Sequence, residues 1–382
     1  MSKTHLVFLV LLTIGACKKP EPTEIIDPVA IGEVRLNQFQ VIGSHNSYKQ
    51  LMDPAMFDSL LTIKSAFPDS PLELDYGHET LTDQLEIYGI RQFELDIYHD
   101  PEGGRFYNRV GLDLILGEDP ASNEAELLEP GLKLIHIPDI DFETSQLTFI
   151  GALQEIRDWS SDHPAHFPIM ILIEAKTESI NDWLPGWGFT ESLPVDLDFL
   201  STIDAEIQEV FSADELLVPQ TVKGNFATLN DAVIQRGWPT LSESRGKVFF
   251  CFNNGGGQAS LYLSMHPEIA TQLMFTVSPA GSDRSAFLMA NNPSDVAENE
   301  VNGGYLIRTR ADAGTWQARN GDYSQMNVAF QSEAQFISTD YYRPDSRYVN
   351  DAGWTDYQVV FSNGSMIRVN PKLGLSVVGE VE

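Results

Sequence analysis

Arg91-Gln92-Phe93-Glu94-Leu95-Asp96-Ile97 is an apolar run with two acids set inside it. Read as a β-strand, it sends alternate side chains to opposite faces, so Glu94 and Asp96 point the same way. Pro168–Ile173 runs directly into Glu174-Ala175-Lys176, which places Glu174 and Lys176 together on one face in the same manner. Charges directed into a sheet interior are costly unless they are paired or hold a metal. Both strands therefore read as walls of a buried polar site.

Working outward, eight short β-branched or apolar runs recur along the chain: Phe39–Gly43, Arg91–Ile97, Leu132–Ile137, Pro168–Ile173, Lys247–Phe252, Leu273–Val277, Gly304–Ile307 and Gln335–Ser338. Longer segments separate them. Leu81–Tyr88, Leu147–Trp159 and Asp198–Phe211 have apolar residues at helical spacing. Strands alternating with helices imply parallel βα units, and eight units predict an α/β fold of the closed (β/α)8 TIM-barrel type. Two long insertions, Asp100–Gly131 and Thr177–Gly246, follow candidate strands at the end where barrel enzymes place their sites. Near the C-terminus, Tyr357–Phe361 and Ser365–Val369 flank Asn363-Gly364, which predicts a β-hairpin added to the barrel.

The first residues read as an export signal. Lys3 precedes the greasy run Leu6–Ile14, which is too short for a comfortable bilayer span. The run ends Ile14-Gly15-Ala16-Cys17, which resembles the lipobox of bacterial lipoproteins. That resemblance implies a signal peptide over residues 1–16 and lipid on Cys17. It implies an exported bacterial lipoprotein, membrane-anchored and periplasmic or cell-surface. Lys18–Pro28 is mostly polar, with Pro20, Pro22 and Pro28. Residues 17–36 are accordingly assigned as a tether and 37–382 as one barrel domain. Cys251 is the second of two cysteines. With Cys17 lipidated it has no partner within the chain, and its apolar setting predicts a buried structural thiol.

The formal net charge of −31 argues against nucleic acid and against broad adhesion to anionic lipid. Any phosphate handled here needs a local cluster of cations. The acids can instead supply a divalent-metal site. Gly43-Ser44-His45-Asn46-Ser47-Tyr48 ends the first run, and Leu134-Ile135-His136 lies in the third. With Glu94, Asp96 and Glu174 these give two histidines, three carboxylates and an amide. Oxygen ligands of this kind favour Ca²⁺ over Mg²⁺, and zinc would want more His or Cys. Histidines without cysteine neighbours suit acid–base work.

The same residues carry a specific resemblance. Gly43-Ser44-His45-Asn46-Ser47-Tyr48, Leu81-Thr82-Asp83-Gln84-Leu85, Gly89–Asp96 and Ile171-Leu172-Ile173-Glu174 occur in this order. They resemble the calcium-dependent phosphatidylinositol-specific phospholipases C, in the PLC-like phosphodiesterase superfamily. Ile307–Asp312 and Gln335–Asp340 are similar to the bacterial branch in particular. The resemblance covers about Asn37 to Pro371. It implies Ca²⁺ as cofactor with Asn46, Glu94, Asp96 and Glu174 as ligands, and His45 and His136 as catalytic histidines. It implies a phospholipid substrate, phosphatidylinositol, cleaved to diacylglycerol and inositol phosphate by attack of the 2-hydroxyl, the product either left cyclic or then opened by water. Glu94 is a candidate base, and either histidine a candidate acid. The eukaryotic pattern has His-Gly where this chain has His136-Ile137, and a phosphate-binding lysine at about the place of Cys251. The candidate phosphate cations are then Lys176, Lys49, Arg308 and Arg310, in that order.

Two other functions fit part of the pattern. A glycerophosphodiester phosphodiesterase shares the barrel and the Glu-x-Asp pair, but its first strand ends His-Arg-Gly instead of His45-Asn46-Ser47. A catalytically silent surface lipoprotein that binds an inositol or glycan ligand is the other alternative, and the intact set of four ligands and two histidines argues against it. The remaining histidines, His78, His99, His163, His166 and His266, read as surface or loop residues, and Asp340 as a strand-end cap.

Overall fold

The computed structural model describes residues 28–63 and 70–382. The signal segment, Cys17 and most of the tether lie outside the described residues. Eight parallel strands form the barrel: β1 (Phe39–Ser44), β2 (Gln92–Asp100), β3 (Ile169–Ala175), β4 (Val248–Phe252), β5 (Met274–Thr276), β6 (Phe287–Met289), β7 (Leu306–Arg310) and β8 (Phe336–Thr339). Ladders join β2-β3-β4-β5 and β6-β7-β8-β1. The two arcs meet at a parallel bridge, Val277 to Phe287. They meet again where Ser47 N–H donates to Glu94 O at 2.9 Å and Glu94 N–H donates to Ser47 Oγ at 2.8 Å.

Eight strands were expected and eight barrel strands are found among the described residues, but one of the expected set is replaced. Leu132–Ile137 supplies no barrel strand. Its first half belongs to Gly131–Leu134, which runs antiparallel to β2, pairing Ile97 with Leu134 and Asp100 with Gly131. This strand closes the insertion that follows β2. The barrel position is filled by β6, three residues long and joined to β5 by the loop around Pro279-Ala280-Gly281. So short a strand with no helix before it gives little periodic signal.

The C-terminal hairpin is also corrected. Asn363-Gly364 does turn, with Gly364 N–H donating to Phe361 O at 2.8 Å. However, Ile367–Val369 pairs antiparallel with β1, Ile367 opposite Val41 and Val369 opposite Phe39. The lower half of β1 is thereby satisfied on the side facing β2, and Tyr357–Phe361 forms no strand. The folded body begins before residue 37. Val29–Ala30 pairs in parallel with Val377–Val378, and Ile31, Val34 and Leu36 are buried. Burial of these apolar side chains leaves that part of the assigned tether inside the fold.

Alternation along the strands divides the core in two. Ile169, Ile171, Ile173, Phe250 and Phe252 face outward and pack against helix residues such as Phe149, Leu153, Phe199 and Ile203. Those residues lie on the helices Phe149–Asp162 and Leu197–Val210. Thr148 and Asp196 cap their first turns with side-chain oxygens. Met170, Leu172, Phe249, Cys251, Leu306 and Phe336 belong to a second cluster that fills the lower barrel. Cys251 is fully buried and free, as its apolar run predicts. The upper barrel is polar. There Gly43 meets Gln92, and a Cβ at Gly43 would fall 2.1 Å from Gln92 Oε1, so only glycine fits. Among the described residues no helix is long and apolar enough to cross a membrane.

Candidate active site

The polar upper end is built from residues on or just beyond β1, β2, β3, β7 and β8. Glu94, Asp96 and Glu174 converge, with one carboxylate oxygen from each lying within 4.8 Å of the others. Two oxygens bound to one Ca²⁺ at 2.3–2.6 Å can stand no more than about 5 Å apart, so this spacing fits. Asp96 Oδ1 is buried with no hydrogen-bond partner among the described residues. Burial pushes the Asp96 carboxyl well above its ordinary range, with Lys176 opposing. A buried acid with a free oxygen, beside two further carboxylates, suits a hard divalent cation. Glu174 is oriented by Asn253, whose Nδ2 donates to Oε2 at 2.9 Å. Asn46 occupies a left-handed turn at φ 46° directly after His45, a conformation that Asn tolerates better than most residues. Its Nδ2 donates to Tyr76 Oη at 2.9 Å. The neighbouring Ser47 ties this turn to Glu94 on β2.

Two histidine–aspartate pairs flank the cluster. His45 Nδ1 lies 2.8 Å from Asp340 Oδ1. Its Nε2 lies 3.3 Å from Arg310 Nη1 and 3.9 Å from Glu94 Oε1. An arginine only donates, so Nε2 carries the lone pair and Nδ1–H donates to Asp340. Burial, then Arg310, hold His45 well below its ordinary value. His136 Nδ1 lies 2.6 Å from Asp141 Oδ2. Both histidines, with Tyr76, Arg310 and Asp340, line one cleft of about 210 Å³. Leu60, Leu74, Ile137, Ile140 and Trp183 add apolar surface to its lining. His136 follows its short strand rather than lying on a barrel strand.

The four candidate phosphate cations separate sharply. Arg310 lines the cleft and reaches Asp340 Oδ2 at 3.1 Å. Arg308 is 1% exposed and is committed to Glu94, Ser338 and Asn291. Lys176 lies against the acidic cluster, 3.5 Å from Glu174 and 3.7 Å from Asp96. Lys49 is fully buried and cannot meet substrate. Its Nζ donates to Leu74 O at 2.9 Å and Tyr76 O at 2.8 Å, and sits 3.2 Å from Asp141 Oδ1. Burial raises Asp141, but Lys49 and His136 outweigh it and hold the carboxylate below its ordinary range.

Several site residues escape the sequence reading. Asp340 holds His45, where a strand-end cap was expected. Asp141, five residues beyond His136, has no motif to mark it. His78 is buried, not at the surface. Its Nε2 donates to His45 O at 2.7 Å, its ring stacks on Tyr342, and burial pushes it down to about 4. His99, His166 and His266 are likewise buried: His99 stacks on Phe199, His166 Nε2 lies 2.7 Å from Ser160 Oγ, and His266 Nδ1 lies 3.2 Å from Thr271 Oγ1.

Residues 34–371 match the family model described as phosphoinositide phospholipase C, Ca2+-dependent. The chain belongs to this family. As a member of the Ca²⁺-dependent phosphoinositide phospholipases C, it is a phosphoric diester hydrolase with calcium as its cofactor. Among solved structures it is similar to a calcium-dependent phosphoinositol-specific phospholipase C from Pseudomonas sp., in its apo form. The TM-score is 0.52 and the identity 15%, covering 89% of this chain and 96% of that one. The myoinositol complex of the same enzyme matches at TM-score 0.51 and 15% identity, with the same coverage. At this identity the likeness establishes the phospholipase C barrel fold. No curated protein matches the sequence.

Proposed function

We propose that this phospholipase C cleaves phosphatidylinositol between phosphate and glycerol, releasing diacylglycerol and inositol cyclic phosphate. The observation that carries the reading is the placement of two His–Asp pairs on one cleft beside the Glu94, Asp96 and Glu174 cluster. Those three acids, with Asn46 on the turn that Ser47 ties to Glu94, are the proposed calcium ligands. When bound, calcium supplies positive charge that offsets the developing charge of the reaction.

The protein's own groups divide the work. Asp340 holds Nδ1–H of His45 and so aims the Nε2 lone pair at the cleft. His45 Nε2 takes the proton of the inositol 2-hydroxyl, and the freed oxygen attacks phosphorus. The bond from phosphorus to the glycerol oxygen breaks, and His136 Nε2–H protonates the departing oxygen. Asp141 Oδ2, 2.6 Å from His136 Nδ1, holds that ring in place at the cleft. Arg310, which rests on His45 Nε2, turns to a phosphate oxygen when substrate enters. Glu94 has one oxygen taken by Arg308, which leaves the other for metal and assigns the base role to His45. The apolar surface in the cleft lining suits the acyl-bearing glycerol. We further propose that the chain works as an exported lipoprotein held to the membrane by lipidated Cys17; Cys17→Ser should then leave the membrane fraction, and persistence there would place the anchor elsewhere.

The test is turnover of phosphatidylinositol vesicles by purified protein with calcium or with chelator, identifying both products. Diacylglycerol with cyclic inositol phosphate, lost on chelation, is expected. Release of glycerol phosphate from glycerophosphoinositol instead, or no turnover of either, would overturn the proposal.

A further inference from the structure

β3 ends in Glu174-Ala175, and Lys176 follows directly, so opposite charges stand on one face. Lys176 Nζ lies 3.5 Å from Glu174 Oε1, 3.7 Å from Asp96 Oδ2 and 3.7 Å from Glu178 Oε2. Two of these three partners are the acids proposed to hold calcium. The backbone is fixed, because Lys176 N–H donates to Ile97 O at 2.9 Å. Only the side chain is left to move.

Arg308 is paired with Glu94, whereas the Lys176 ammonium lies within 4 Å of both Asp96 and Glu174. A divalent ion among the same oxygens would stand within a few ångströms of Nζ, where like charges in a partly buried site repel strongly. Glu178 is the most exposed of the three acids around the ammonium, with its side chain 47% exposed. It offers Lys176 a partner at the solvent edge.

We infer that Lys176 is the internal counter-ion of Asp96 and Glu174 and competes with calcium for them, with Glu178 receiving the displaced ammonium. Lys176 thereby sets the calcium affinity of the site instead of binding phosphate. This rests on the assignment of calcium to Glu94, Asp96 and Glu174, and the test separates the two.

Calcium binding to the full chain is measured by calorimetry for wild type, Lys176→Met, Lys176→Gln, Glu178→Gln and Asp96→Asn. Melting curves are recorded with calcium and with chelator. Both Lys176 variants are expected to bind calcium about tenfold tighter or more, and Glu178→Gln to bind it more weakly. In chelator the Lys176 variants should melt below wild type, and calcium should close that gap. Lys176→Gln serves if Lys176→Met does not fold. If Asp96→Asn loses calcium while both Lys176 variants keep the wild-type affinity or weaken it, the role of Lys176 is overturned and the metal assignment stands. If Asp96→Asn keeps the wild-type affinity, the metal assignment falls and the competition falls with it.

Discussion

Arg308 Nη2 stands 2.5 Å from Glu94 Oε2 inside the barrel, and neither side chain is more than 3% exposed. The pair links β7 to β2 across the upper interior. Ser338 accepts from Arg308 Nε at 2.8 Å and donates to Gln92 Oε1 at 2.6 Å, so the ion pair continues into a polar chain above the apolar floor. Burying a guanidinium and a carboxylate together is tolerable because each satisfies the other. Removing one leaves the other uncompensated.

Arg308→Met is therefore expected to cost about 3–5 kcal/mol of stability in chelator. Saturating calcium should restore part of that loss, since Glu94 would regain a cation. Melting curves with and without calcium check this. Equal loss in both conditions would separate Glu94 from the metal.

Asp340→Asn should leave the fold intact while lowering kcat by about 10²–10⁴. The amide can no longer be relied on to hold Nδ1–H of His45, so Nε2 loses its fixed lone pair. The combined Asp340→Asn and His45→Ala variant should be little slower than His45→Ala alone, because both remove one function. Additive losses in steady-state kinetics would show that Asp340 acts elsewhere.

Lys49→Met tests a cation that the fold has used up. It should destabilise by about 3–5 kcal/mol by stranding Asp141. KM for substrate should stay near wild type, because Lys49 does not reach the cleft. A rise in KM with unchanged stability would return Lys49 to phosphate binding. Denaturant titration and initial rates on the folded fraction distinguish the outcomes.

Glu206 governs a pH dependence remote from the site. Its Oε1 accepts Leu132 N–H at 2.8 Å, while Oε2 is buried without a hydrogen-bond partner. Burial pushes this carboxyl up to about 7. A raised carboxyl pKa means that the folded state holds the proton more tightly than the unfolded state. Its contribution is fully present below the unfolded pKa and is lost as pH rises through about 7. Asp204, also pushed up to about 7 by burial, acts in the same direction. Glu206→Gln should therefore stabilise the protein by about 1–3 kcal/mol near pH 8 and by less near pH 5. Chemical denaturation at both pH values checks the sign.

The sequence by itself determined the parallel strands with charged upper ends, the inward acids on two of them and the His45-Asn46 turn. These are local facts: alternation along one strand decides which residues share a face, as with Glu94 and Asp96. It also marked Cys251 as core. Only the tertiary structure decided that Leu132–Ile137 leaves the barrel and that Phe287–Met289 enters it, since strand pairing depends on partners far along the chain. It likewise decided that Asp340 serves His45, 295 residues away in sequence, that Asp141 serves His136, and that Lys49 and Arg308 are consumed by internal acids. Whether a charged side chain meets substrate or a buried partner is set by which strands close beside it, and periodicity carries no record of that closure.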